Sequence, residues 1–132
     1  MIGLDTNVIV RYLAQDDPKQ SAAASRLFER VLAPANPGFV PVVALGKLAW
    51  VLAECYGADR ARIRQAIDGL LVAKQVAAET PDLVRKALRA WDQSTADLAD
   101  ALIGELARAS GADKTVTFDR AAARLPGFEL LQ

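Results

Sequence analysis

The chain contains no histidine. That excludes a Ser-His-Asp triad, a Cys-His pair and any histidine general base. It also removes the zinc sites built from His and Cys. Cysteine is almost as scarce: Cys55 stands alone, so there is no internal disulfide framework, and a reducing, cytoplasmic setting is expected. Charge of one sign is lacking too, because sixteen basic residues meet sixteen acidic ones. A globally basic coat for nucleic acid is thereby ruled out, whereas a local basic patch is not. No apolar run reaches the roughly 20 residues of a membrane span. The longest, residues 39–53, carries Pro41 near its start and Lys47 in its middle, and reads as a buried helix. Residues 1–5 show no basic segment ahead of an apolar one, so no signal peptide is expected.

With 132 residues, 52% of them hydrophobic and 24% charged, the chain has the balance of one globular domain over residues 1–132. The short apolar run 2–4 reads as a buried strand ending near Asp5. Asp5, Thr6 and Asn7 are good helix caps ahead of a first helical segment over residues 8–13. Asp16-Asp17-Pro18 starts a second helix running through 22–32. After the loop 34–38, Phe39-Val40 is extended. Pro41 then leads a helix that Gly57 stops, Asp59 caps the next, and Thr80-Pro81-Asp82 opens another. A last helix covers 97–109, with Ser94 and Asp97 spaced as a capping box. Residues 115–118 and 128–131 read as strands, and Val76-Ala77 is too short to assign. Trp50 and Trp91 fall on apolar stripes and are assigned to the core, and Cys55 to a small buried hydrophobe. Helices between short apolar strands predict an α/β fold, a parallel sheet covered on both faces.

In such sheets ligands sit beyond the carboxyl ends of the strands, where Asp5 and Asp119 are expected. Asp97 and Asp100 lie three apart at a helix start, hence on one face. Each has a purely structural alternative as a cap or turn residue. Convergence of four carboxylates would be costly: two unit charges 4 Å apart at an effective dielectric of 20 repel by roughly 4 kcal/mol. A divalent cation would offset that, and oxygen ligands suit Mg²⁺ or Mn²⁺. Such a cation can activate water and stabilise charge on a phosphodiester. Arg11, Arg120 and Arg124 follow the strand-end motifs as candidate phosphate contacts.

Four segments in this order carry a resemblance: 1–10 (MIGLDTNVIV), 45–52 (LGKLAWVL), 97–103 (DLADALI) and 115–120 (TVTFDR). Over essentially its full length the chain resembles the PIN-domain proteins, in particular the VapC-type toxins of bacterial toxin–antitoxin pairs. The resemblance implies a PIN-like three-layer fold, with a short parallel sheet flanked by helices on both faces. It also implies a Mg²⁺- or Mn²⁺-dependent endoribonuclease, a hydrolase that cuts RNA and is held in check by a cognate antitoxin, usually as a homodimer in the cytoplasm. On that resemblance Asp5, Asp97, Asp100 and Asp119 are catalytic, Asp5 and Asp100 hold metal, and Thr6, Asn7 and Thr117 support the acids. Lys47 departs from the pattern, because similar sequences place glutamate there. A protonated lysine cannot coordinate a cation. It could instead pair with Asp5 or Asp100. Glu54, seven residues on, shares the helix face but sits roughly 10 Å further along the axis. The expected activity is therefore impaired, and the alternative is a catalytically silent PIN domain that acts by binding antitoxin or RNA. A phosphatase with an Asp5 nucleophile would need an acid where Asn7 stands.

Overall fold

The computed structural model describes residues 1–132, which divide into two compact units, Met1–Glu79 and Thr80–Gln132. In the first, β1 (Ile2–Gly3) leads into α1 (Thr6–Ala14), then α2 (Pro18–Arg26), β2 (Gly38–Val40), α3 (Val42–Tyr56), α4 (Arg60–Val72) and β3 (Val76–Ala78). The strands form one sheet in the order β1-β2-β3, all parallel, with Ile2 opposite Gly38 and Gly38 opposite Val76. Parallel neighbours require crossovers, and each crossover here is a helix pair. Val76-Ala77, too short to assign from its composition, is thus the start of a strand, stabilised by pairing with β2.

The caps follow the sequence. Asp17 accepts a hydrogen bond from the Gln20 N–H, Asp59 from that of Arg62, and Gly57 ends α3 in the left-handed region. α2 is shorter than the expected helix, because residues 27–31 form a π-helical turn closed by the Leu32 N–H on the Leu27 carbonyl. Phe28 in that turn is buried and stacks on Tyr12, with centroids 4.2 Å apart. Ile9, Val40, Leu45, Leu48, Ile63 and Ile67 form the core of this unit. Gly38 has no room for a side chain, since a Cβ there would collide with Leu4 and Leu32.

The second unit comprises α5 (Pro81–Asp92), α6 (Leu98–Ala109), β4 (Thr115–Thr117) and β5 (Phe128–Leu130). β4 and β5 pair in parallel, Thr115 opposite Phe128, around a 3₁₀ turn at Ala122–Arg124. Val84, Leu88 and Trp91 of α5 are buried, as are Leu98, Ala101 and Leu102 of α6. Phe128 lies on Gly104, where any Cβ would strike its ring.

Three expectations need correction. Trp50 is 59% exposed, whereas Trp91 is buried as expected. The α3 sequence is apolar on nearly every side, so periodicity alone could not select a face. The inward stripe is Leu45, Leu48, Ala49 and Leu52, and Trp50 lies about 200° round from Leu48. Cys55 is likewise exposed, at the solvent side of the last turn. No capping box forms before α6: Ser94 Oγ donates to the Trp91 carbonyl and accepts the Ala96 N–H, and Asp97 caps without a side-chain bond.

One cap was invisible in the sequence. Pro41, ahead of α3, offers no side-chain acceptor. Glu79, just past β3, donates its own N–H to the Val40 carbonyl and accepts the Val42 N–H at 2.8 Å through Oε1. Glu79→Ala should therefore cost about 0.5–2 kcal/mol, the range for a lost helix cap, read as a shift in the urea midpoint. An unchanged midpoint would show that the contact contributes nothing.

Candidate active site

Asp5 lies just past β1, with Leu4 between them, at the carboxyl end of the first unit's sheet. It caps α1, and its Oδ1 accepts the Thr6 N–H at 2.7 Å. The buried Thr6 hydroxyl donates to the Ala44 carbonyl at 3.3 Å, which fastens the first turn of α1 to the first turn of α3. Lys47 lies one turn beyond Ala44, is exposed, and makes neither an ion pair nor a hydrogen bond. The expected pairing of Lys47 with an acid does not form. Asn7 is exposed, and its side-chain amide also bonds nothing in the protein. Glu79 adds an acid to this edge that sequence reasoning missed, because only strand pairing brings it there.

In the second unit three acids share one neighbourhood. Asp97 caps α6, and its carbonyl accepts the Asp100 N–H at 3.1 Å. Asp119, just past β4, takes the Ala121 and Ala122 N–H groups on Oδ1 at 2.8 and 3.1 Å, and its own N–H donates to Thr117 Oγ1. Asp119 is thus a turn residue, and these bonds fix its carboxylate's direction. Burial raises the Asp100 carboxyl above the usual carboxylate range, and the negative charges of Asp97 and then Asp119 raise it further. Arg120 is exposed beside Asp119.

Arg11 is already engaged. Its Nη1 donates to Asp16 Oδ1 at 3.1 Å and to Tyr56 Oη at 3.2 Å, and its Nε to Gln20 Oε1 at 2.7 Å. Tyr56 in turn donates to Asp16 Oδ2 at 2.7 Å. That hydrogen bond, more than the guanidinium, holds the Asp16 carboxyl below its usual range. The sequence offered Asp16 only as part of a helix start, and nothing local links it to Tyr56. A lowered folded-state value stabilises the protein above the ordinary aspartate pKa, and the contribution disappears as pH falls through the lower value. The stability gap between the parent and Asp16→Asn should hold from pH 7 to 5 and close below about pH 4. A gap that widens on acidification would contradict this.

A divalent cation fits the donor chemistry, which is carboxylate oxygen only. Three acidic or cysteine side chains do not close on a single point anywhere in the chain, as an all-protein cage would require. Mg²⁺ does not need such a cage, because it binds through one or two carboxylates and retains waters.

The family model for the PIN domain matches residues 2–127. The chain belongs to the PIN-domain family. PIN domains are generally metal-dependent nucleases, and the six helices and short parallel strands are those the PIN-like fold calls for. No curated protein matches this PIN domain as a relative. None of its helices is long and apolar enough to cross a membrane.

Proposed function

We propose that this PIN domain is a Mg²⁺- or Mn²⁺-dependent endoribonuclease, the toxin of a type II toxin–antitoxin pair, with its activity held down by Lys47. The observation that carries this reading is Asp100: a half-buried carboxyl under the field of two other acids, in a chain without histidine. A bound cation would activate water and neutralise charge on the phosphodiester. Asp100 is the residue to hold it, with Asp97 and Asp119 assisting through water. Thr6 and Thr117 fix the backbone beside Asp5 and Asp119, and Asn7 supplies a free amide next to Asp5. Arg120 offers a guanidinium to the RNA backbone. The partners in this reading are RNA, a cognate antitoxin and a second copy of the chain, and the setting is the cytoplasm.

The test is cleavage of end-labelled RNA with Mn²⁺, Mg²⁺ or EDTA, in the Lys47→Glu background where activity is highest. Cleavage should need the metal and fall at least about 100-fold in Asp100→Asn, since metal-centred stabilisation is worth several kcal/mol. Expression should arrest growth, and co-expression of the antitoxin should relieve the arrest. Cleavage that survives EDTA, or none at all, overturns the reading.

A further inference from the structure

A cavity of about 350 Å³ lies between α1 and α2, lined by Asn7, Val8, Arg11, Gln20, Ala23, Ala24 and Leu27. Its size is that of a small-ligand site, and its walls are apolar with a few polar groups. Those groups are set by the Arg11 cluster. The Arg11 Nε bond to Gln20 Oε1 fixes the Gln20 amide, so the Gln20 Nε2 donors are left without a protein partner. Asp16 and Tyr56 occupy Arg11 Nη1, and Nη2 bonds nothing. The guanidinium is thus held from two sides with one donor pair free, beside a second free donor pair. No acidic side chain lines the cavity, so a cation is not its occupant.

We infer that this cavity takes a nucleobase of the RNA, and that it prefers guanine. Two donor groups side by side match the O6 and N7 acceptors of guanine. On the corresponding edge, adenine would set its N6 amino donor against them, cytosine presents its N4 donor, and uracil presents O4 alone. Val8, Ala23, Ala24 and Leu27 supply the apolar walls that sandwich an unstacked base. Asn7 and Arg11 stand on the helix that Asp5 caps, and Arg11 is roughly 9 Å along the axis from Asp5. The base held here therefore belongs to a nucleotide flanking the one cut near Asp5. The inference rests on the ribonuclease reading for its substrate class, and it adds a sequence preference to it.

The experiment is a metal-free NMR titration of the full ¹⁵N-labelled chain with GMP, AMP, CMP, UMP, guanosine and inorganic phosphate. GMP and guanosine should shift the amides of residues 7, 8, 20, 23 and 24, with GMP at least about tenfold tighter than the other nucleotides. Gln20→Leu should bring the four nucleotides within about threefold of one another, and Ala23→Leu, which fills the cavity from an exposed position, should weaken GMP by about tenfold or more. The dispersion of each variant's spectrum shows that it is folded. Equal shifts with all four nucleotides, the same shifts with phosphate alone, or no shifts, as expected of a groove that holds a protein partner, would each overturn the inference. Binding is read without metal or cleavage, so GMP bound by an inert chain would refute only the ribonuclease reading. Cleavage indifferent to guanine, with no GMP binding, would refute only this one.

Discussion

Lys47→Glu is expected to raise Mn²⁺-dependent RNA cleavage at least about 30-fold. The Thr6 hydroxyl ties the start of α1, and with it Asp5, to Ala44, and Lys47 stands one turn further along the same helix. The substitution moves the local charge by two units against a divalent ion. Lys47 is exposed, so water screens its charge. For an ion held roughly 8 Å from the side chain, at a dielectric of ~80, each unit pair would be worth ~0.5 kcal/mol and the swing about 2 kcal/mol. That corresponds to about 30-fold, and a glutamate that reaches the metal directly would exceed it. Mn²⁺ affinity, measured by calorimetry, should rise in parallel. Identical, robust cleavage by both proteins would mean that Lys47 merely extends into solvent. Glu54 is not a substitute, because it is exposed two turns beyond on the same helix.

The largest loss of stability is expected one residue away. Leu48 has no solvent-exposed surface, and Leu48→Ala should cost about 2–5 kcal/mol through lost transfer energy and the cavity left behind. A domain of this size has about 5–15 kcal/mol in total, so the variant should lose roughly 10 °C or more in Tm. Trp50→Ala, two residues further on, removes a far larger side chain yet should stay within about 0.5 kcal/mol, because that ring is already mostly in water. Thermal melts of the pair distinguish the two faces of α3. A larger loss for Trp50 than for Leu48 would mean that the assigned faces are reversed.

The contrast between Trp50 and Trp91 shows where the sequence was legible. α5 alternates charged and apolar residues, so Val84, Leu88 and Trp91 declare an inward stripe. α3 is apolar all round and declares none. Helix starts were readable because Asp17 and Asp59 cap with their own side chains. Asp5 and Asp119 were readable as strand-end acids because each follows a short β-type run. Glu79, Tyr56 and Asp16 were not, since each acts on a residue far along the chain and no local spacing records that contact. The raised Asp100 carboxyl lies between these cases. Asp97 is visible three residues before it, while the field of Asp119 arrives only with the tertiary fold.

The cap on α3 comes from a residue 37 positions downstream of the helix's first amide. The first turn of α3 and the tip of β3 should consequently open as one event in native-state hydrogen exchange, with matched protection at Val42 and Glu79. A ligand that peels β3 from its neighbour would loosen the segment that carries Lys47 without touching it.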